Sequence, residues 1–134
     1  EIIIDAATLT GAAIMATGSE YSALFALDQE IADSVKESAA QVHEPVWQLP
    51  LESWHQEKCS SAFADTANSS SQKGGGAGGA SNAAGFLTRF VPNDGKGWLH
   101  IDLAAAYNGS GNSLYGAGAT GQGIATIANL LNKA

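Results

Sequence analysis

The hydrophobic pattern of the chain begins with three consecutive isoleucines at positions 2–4 and stops abruptly at Asp5. A strand that is apolar on both faces is typical of a parallel strand covered by helices on either side. In open α/β sheets the ligand crevice lies beyond the carboxyl ends of the strands. We therefore predict a buried strand that delivers the following loop to a ligand site, where Thr8 and Thr10 offer hydroxyl groups and Gly11 allows close approach. A solvent-facing turn before a capped helix is the alternative.

The middle of the chain combines a short apolar run with an amphipathic stretch. Residues 22–27 predict a second strand, and Asp28 stands where the N-cap of a helix is expected. Apolar side chains then recur at helical spacing while charged and polar side chains take the opposite face, which predicts a surface helix. Pro45 ends that helix, residues 47–51 are predicted to be extended, and residues 53–58 are predicted to form a short helix.

Helix and strand patterns continue in the C-terminal half of the chain. A stripe of small and apolar side chains predicts a helix from Gly79, or the glycine before it, to Val91. Alanine on this stripe permits close approach of a neighbouring backbone. Residues 98–103 alternate as a strand does, and a final helix is predicted over residues 119–131.

The composition limits the kinds of partner. The net charge of −7 results from thirteen acidic and six basic residues, and the basic residues are scattered along the chain. Nucleic acids and anionic membrane surfaces both require a basic patch, so neither is expected as a partner. The sequence contains no run of eighteen apolar residues and does not open with a signal peptide. We expect a soluble cytoplasmic protein, and the single cysteine, Cys59, fits a reducing compartment.

A glycine-rich stretch between Gly74 and Gly79 precedes the predicted third helix. A glycine loop that opens onto a helix N-terminus exposes backbone amides, which could bind a phosphate of a nucleotide or another small ligand. The lysine that follows the last glycine of a nucleotide loop is absent, because Ala80, Ser81 and Asn82 follow Gly79. We favour a hinge or close-packing loop and keep a small-ligand or nucleotide-binding module as an alternative function.

The sharpest candidate for a site of its own is the pair His100 and Asp102. With Trp98 they share one face of the predicted strand. Two residues apart, they would project side by side and hold one metal ion, or the carboxylate would orient the imidazole. We favour a buried hydrogen-bonded pair that stabilises the sheet. His43 is interpreted as a partner of the helix dipole and His55 as a packed or capping side chain, rather than as metal ligands.

Three blocks of the sequence resemble one known family. The string Asp-Ala-Ala-Thr-Leu-Thr-Gly-Ala at residues 5–12 closely resembles a signature of the leucyl aminopeptidase family of two-metal exopeptidases. Residues 98–104 and 118–121 occur in that family's order and approximate spacing. The resemblance implies an α/β fold, a three-layer α/β/α part-domain in which helices flank a mixed sheet, as in zinc-dependent exopeptidases. Because the chain begins inside a strand-like run, we expect residues 1–134 to be a fragment, the C-terminal portion of the catalytic domain.

The resemblance also implies a reaction. Family members hydrolyse the N-terminal residue from peptide substrates with two divalent metal ions, Mn²⁺ or Zn²⁺, as cofactors, and they are homohexamers. The family's metal ligands are a lysine and several carboxylates upstream of the Thr-Leu-Thr-Gly loop, and its Asn-Thr-Asp-Ala-Glu-Gly-Arg element is absent here. We therefore expect no catalytic residue and no metal ligand in this chain. By itself the chain should neither bind two ions tightly nor cleave peptides.

By the same resemblance, five residues would contact the substrate. Leu9 presents a backbone carbonyl and Gly11 a backbone amide to the peptide main chain past the scissile bond, while Thr8 helps shape the pocket for the N-terminal side chain. Ala104 and Tyr107 align with residues that line this pocket. The family usually carries an aliphatic side chain or methionine where Tyr107 stands, so we hypothesise that its phenol favours N-terminal residues shorter or more polar than leucine. A structural assembly domain without a site of its own is the other alternative function.

Overall fold

A computed structural model of the chain describes residues 2–70, 76–111 and 116–133. Four strands form the central sheet: β1 (Ile3–Ala7), β2 (Ser22–Phe25), β3 (Val46–Gln48) and β4 (Trp98–Asp102). They lie in the order β1-β4-β2-β3. β4 pairs parallel with β1 and antiparallel with β2, and β2 pairs parallel with β3. The sheet is therefore mixed.

The helices and the remaining strands connect these four. The α-helices within the described residues are α1 (Gly11–Thr17), α2 (Gln29–Gln41), α3 (Gly79–Leu87) and α4 (Ile124–Leu131). Single turns of 3₁₀-helix or short runs of it cover Ser53–Cys59, Thr88–Phe90 and Asn93–Gly95, and β5 (Tyr107–Asn108) pairs antiparallel with β6 (Gly118–Ala119). No helix in the described ranges combines the length and apolar character needed to cross a membrane.

Two helix boundaries differ from the sequence prediction. The third helix was predicted to reach Val91, but the α-helix ends at Leu87 and its last turn tightens into 3₁₀-helix. The final helix was predicted from residue 119, but it begins at Ile124. The residues before it include Gly121 and Gly123, whose φ angles of 75° and 95° are left-handed and cannot belong to an α-helix.

Each face of the sheet is covered by two helices. On one face, α1 and α3 contribute Ala13, Ala80 and Ala84 to an apolar cluster around Phe25 and Trp98. On the other face, α2 and α4 pack through a second cluster that includes Leu24, Ile31, Val35, Leu99, Ile101 and Leu130. Neighbouring residues of a strand point to opposite faces, so β2 and β4 each supply both clusters. The helix, sheet and helix layers confirm the predicted three-layer α/β/α architecture.

β4 is one of the two inner strands of the sheet, and all five of its residues are buried. It lies between two other strands and beneath helices on both faces, so even its polar side chains are removed from water. The strand β1 is different, because Ile3 and Ile4 are only partly buried and Ala6 and Ala7 are exposed. The prediction of a fully buried first strand is wrong in this respect. Among the described residues β1 pairs only with β4 and forms the edge of the sheet.

The start of α2 is fixed by Asp28, as the sequence predicts. One carboxylate oxygen accepts from the amide of Glu30 at 3.0 Å, which caps the helix, and the other accepts from the amide of Gly97 at 2.8 Å. These backbone donors, Gly97 foremost, hold the pKa of the Asp28 carboxyl below its usual value. The same side chain thus joins α2 to the residue that precedes β4.

Candidate functional site

The loop between β1 and α1 lies at the end of the sheet that is formed by the carboxyl ends of β1 and β4. The parallel register places Ala7 opposite Asp102, and the amide of Leu103 donates to the Ala7 carbonyl at 2.8 Å. The residues that follow the two strands therefore lie together at this carboxyl end of the sheet, which is where open α/β sheets bind ligands. Residues 8–11 and Ala104 lie at this carboxyl end, in agreement with the sequence prediction for the loop.

The carboxylate of Asp102 holds this loop. One of its oxygens accepts from the amides of Leu9 at 3.0 Å and Thr10 at 3.3 Å, and the other accepts from the Thr10 hydroxyl at 2.7 Å. The Thr10 hydroxyl in turn accepts from the amide of Ala13 at 3.0 Å, and so it caps α1. Asp102 itself is only 1% exposed, so these bonds replace the water that a carboxylate would otherwise bind.

The structure brings only part of the predicted substrate-binding set into one exposed surface. Thr8, Leu9 and Gly11 are exposed on the loop. Ala104 is 9% exposed and packs in the cluster beneath α1 and α3, so it can offer only a small area to a ligand. Tyr107 lies on β5 and is 67% exposed. A role for any of the five in substrate binding stays a prediction.

A groove of about 730 Å³ runs beside the loop. Leu9 and Gly11 line it, whereas Thr8, Ala104 and Tyr107 do not. Its other walls come from the loop itself, from α1 and α3, and from the end of the first 3₁₀-helix and the segment after it. They are formed by Thr10, Ala12, Met15, Cys59, Asn68, Ser69, Ser70, Gly79, Asn82, Ala83 and Phe86. Sequence reasoning missed these walls. The small residues of α3 were the available signal, because they indicate close approach to a neighbour without saying which one.

A second polar arrangement lies deeper on the same face of the sheet. The carboxylate of Asp5 accepts from the indole nitrogen Nε1 of Trp98 at 2.7 Å and is also bonded to Nδ1 of His100. The imidazole of His100 is fully buried and stacks on Phe25, with the ring centroids 6.0 Å apart. Asp5 thus satisfies two buried donors from β4.

The predicted hydrogen bond between His100 and Asp102 is wrong, because each side chain has its own partner from β1 or the loop after it. Alternate residues of one strand are about 7 Å apart, whereas residues directly opposite on neighbouring strands are about 5 Å apart. The register places Asp5 opposite His100, so the shorter distance selects Asp5 as the partner. Both side chains are buried and polar, as predicted, but they stabilise two different contacts.

The described residues do not fit a site for two metal ions. Across residues 2–70, 76–111 and 116–133, no three His, Cys, Asp or Glu side chains lie where they could hold a metal together. His100 uses one ring nitrogen on Asp5, and within the described structure the other, Nε2, is buried without a hydrogen-bond partner. The ring nitrogen Nδ1 of His55 accepts from the amide of Glu52 at 2.9 Å, which confirms its predicted capping role.

The glycine-rich stretch is described only in part, because Gly74 and Gly75 lie outside the described residues. Where it is described, the side-chain amide of Asn82 donates to the carbonyl of Ala77 at 3.1 Å and folds the stretch onto α3. Gly78 precedes the helix with a left-handed φ of 72°. A small-ligand or nucleotide site at this stretch stays untested.

Comparison with known proteins gives consistent matches. A model of the cytosol aminopeptidase family, catalytic domain, matches residues 1–128. Peptidase B of Pectobacterium carotovorum subsp. carotovorum is 51% identical over 129 residues, which are 96% of this chain and 29% of that protein. Peptidase B of Enterobacter sp. is 50% identical over 131 residues, which are 98% of this chain and 30% of that protein. The chain therefore spans less than a third of the length of these curated relatives.

Solved structures share the fold as well. A mutant of tomato leucine aminopeptidase superimposes with a TM-score of 0.86 at 33% identity, over 100% of this chain and 25% of that one. The bottromycin maturation enzyme BotP in complex with Mn superimposes with a TM-score of 0.86 at 34% identity, over 98% of this chain and 28% of that one. In each case the chain matches about a quarter of a longer protein.

Proposed function

The chain belongs to the cytosol aminopeptidase family, and from this premise we propose that it is the C-terminal portion of the catalytic domain of a metal-dependent aminopeptidase. The reaction would release N-terminal amino acids from peptides. The 51% identity to a peptidase B over almost the whole chain supports this activity. The observation that carries the proposal is the loop of residues 8–11, which the buried Asp102 holds at the carboxyl ends of β1 and β4.

This chain would contribute walls of the substrate cleft and not the reacting groups. The carbonyl of Leu9 would accept a hydrogen bond from the main chain of the peptide past the scissile bond, and the amide of Gly11 would donate one. Thr8, Ala104 and Tyr107 would line the pocket for the N-terminal side chain. Of these, Tyr107 is the residue that would set the depth and polarity of the pocket.

The metal ions would be held by residues outside this chain. The Mn complex of BotP supports dependence on divalent metal, with Mn²⁺ or Zn²⁺ as the candidates. Among the described residues no three His, Cys, Asp or Glu side chains lie where they could hold a metal together.

Release of free amino acids by the full-length enzyme tests the proposed function. We expect release from unblocked peptides in the presence of Mn²⁺ or Zn²⁺, loss of release when a chelator is added, and no release from peptides with an acetylated N-terminus. The blocked peptide is the matched control, because an endopeptidase would still cleave it. Absence of metal-dependent release, or equal cleavage of blocked peptides, would contradict the proposal.

We also propose that the full-length enzyme is a homohexamer in the cytoplasm, as the family resemblance implies. Sedimentation velocity of the full-length enzyme should then show one species of six times the protomer mass. A monomer or dimer that persists at high protein concentration would contradict this assembly, without bearing on the activity.

A further inference from the structure

We propose that Asp102 is a positioning residue of the substrate cleft, which aims the backbone groups of Leu9 and Gly11 at the peptide. The inference rests on the proposed function and goes beyond it. It assigns a task to a buried side chain that would touch neither the substrate nor the metal ions.

The hydrogen bonds of Asp102 fix the loop by their number and direction. An ionised carboxylate is an acceptor only, and Asp102 receives three donors from two consecutive residues, Leu9 and Thr10. These donors come from 92 and 93 positions away in the sequence. The bonds therefore fix the position of the loop relative to β4, and not only the internal conformation of the loop.

The carbonyl of Leu9 is oriented by the amide of Thr10. The carbonyl of one residue and the amide of the next belong to one planar peptide group, and in the trans form they point in opposite directions. No peptide bond in the described chain is cis, and the amide of Thr10 points at the buried carboxylate. The Leu9 carbonyl must therefore point away from Asp102, toward the exposed side of the loop.

The amide of Gly11 lies at the start of α1. It belongs to the first residue of α1, so it lacks the carbonyl four residues back that an interior helical amide would use. The hydroxyl of Thr10 donates to Asp102 and accepts from the amide of Ala13, so it joins the start of the helix to the carboxylate. Asp102 thus sets the positions of the acceptor on Leu9 and the donor on Gly11 together.

Four variants and one control separate this role from a general effect on the fold. Asp102→Ala removes all three bonds to the loop, whereas Asp102→Asn keeps a carbonyl oxygen for the amides of Leu9 and Thr10. Thr10→Val is a smaller change that loses only the hydroxyl, and Thr10→Ser restores it. Asp5→Asn is the matched control, because Asp5 is a carboxylate on the same face that bonds β4 and not the loop.

The readout is a comparison of two substrates by the full-length enzyme. A tripeptide has main-chain groups past the scissile bond, whereas an aminoacyl p-nitroanilide lacks them. Misplacement of about 1 Å can cost on the order of 10²-fold in rate. We expect Asp102→Ala to lower kcat/KM for the tripeptide by about that factor, and for the anilide by clearly less. Asp102→Asn and Thr10→Ser should recover most of the loss in kcat/KM. Asp5→Asn should change kcat/KM for both substrates by one common factor.

Hydrogen exchange of the Leu9 and Thr10 amides supplies a readout that does not depend on activity. We expect both amides to exchange faster in Asp102→Ala and Thr10→Val, with the β4 amides still protected. If the wild type is active and Asp102→Ala lowers kcat/KM for both substrates equally, or for neither, the positioning role is overturned and the proposed function stays intact. Should Asp102→Ala not fold, Thr10→Val decides instead, by the same comparison of its kcat/KM for the tripeptide with that for the anilide. A wild-type enzyme without any release would overturn both proposals.

Discussion

Among the glycines that the structure describes, Gly85 of α3 has the least room for a side chain. A Cβ atom at this position would lie 2.6 Å from the carbonyl carbon of His55 and 2.8 Å from the amide nitrogen of Gln56. Both are backbone atoms of the neighbouring 3₁₀-helix, so they cannot move without shifting that helix. The absence of a side chain at Gly85 is therefore what lets the two helices touch.

Gly85→Ala should destabilise the protein by about 1–3 kcal/mol, the usual cost of overpacking. The free energy of unfolding in urea measures this effect. Gly109→Ala is the control, because nothing lies within 4 Å of a Cβ at Gly109, and it should leave stability nearly unchanged. Equal stabilities of the Gly85 variant and the wild type would show that the contact is looser than the structure describes.

Tyr107→Met should change the ranking of aminoacyl substrates of the full-length enzyme. If Tyr107 lines the pocket, the exchange removes a phenol and adds a flexible apolar side chain, so leucine and methionine should rise relative to alanine and serine. The measurement is kcat/KM across a panel of aminoacyl p-nitroanilides. Tyr21→Met is a control, because Tyr21 packs against Trp47 on β3 instead. An unchanged ranking in the Tyr107 variant would discard the specificity hypothesis.

Single-residue partners were the least predictable feature from sequence. Alternation along β4 correctly places His100 and Asp102 on one buried face, because side-chain direction in a strand follows a period of two. Their partners come from a strand and loop more than ninety positions away, and the register of that pairing leaves no local signal. The tie between Asp102 and the loop of residues 8–11 could therefore not be predicted.

Among the elements, α4 is capped by a residue from a distant part of the chain. It follows Gly123, which has no side chain to cap the helix. The carboxylate of Glu44 accepts from the Gly123 amide at 3.1 Å, the Thr126 amide at 2.8 Å and the Thr126 hydroxyl at 2.6 Å. The cap also fastens α4 to the segment that follows α2.

Glu44→Ala should cost about 0.5–2 kcal/mol of stability, as the loss of a helix cap does. Urea unfolding measures the change, and Glu44→Gln should lose less because one side-chain oxygen can still accept. Glu57→Ala, in an exposed position of the first 3₁₀-helix, is the control and should lie close to the wild type. A Glu44 variant as stable as that control would mean that α4 does not depend on this cap.

The cap of α2 predicts a dependence of stability on pH. The pKa of Asp28 is lowered in the folded protein, so its stabilisation is present above the unfolded value near 3.8 and is lost as the pH falls through the folded pKa. The free-energy difference between the wild type and Asp28→Asn should therefore shrink on acidification below that value. Unfolding curves from pH 6 to pH 2 measure this difference, where the end points are about two units either side of the unfolded pKa.

Asp33→Asn provides the comparison for that experiment. The pKa of Asp33 is also lowered, chiefly by a hydrogen bond with Lys36, and this ion pair lies at the surface. Salt screens surface pairs, whereas the backbone amides that bind Asp28 are neutral. The effect of Asp28→Asn should persist at about 1 M salt, where the screening length is about 3 Å, and that of Asp33→Asn should become smaller. A pH-independent effect of Asp28→Asn would contradict the account of this cap.

The elements themselves were predictable to the extent that their signals are local. The N-cap at Asp28 and the apolar stripe after it located α2, because both are properties of consecutive residues. The start of α4 was placed too early, because the dihedral angles of Gly121 and Gly123 are a choice that the sequence permits but does not dictate. The walls of the groove depend on how α3 meets α1, which is a tertiary contact.

For the molecule as a whole, the three-layer arrangement places the carboxyl ends of β1 and β4 and the loop of residues 8–11 at the same end of the sheet. The family resemblance predicted this architecture, and composition alone would have left it open. The exposure of β1 was not foreseen, because the pattern of three isoleucines describes a strand with covered faces. We propose a division of tasks, in which this chain would aim and enclose the peptide while other residues of the enzyme would hold the metal ions.

A crystal structure of the full-length enzyme with Mn²⁺ and a bound peptide analogue tests this claim most directly. We predict two ions coordinated entirely by residues outside this chain. The main chain of the analogue should be hydrogen-bonded to the Leu9 carbonyl and the Gly11 amide. Ions held by His100 and Asp102, or an analogue bound away from the loop of residues 8–11, would contradict the account.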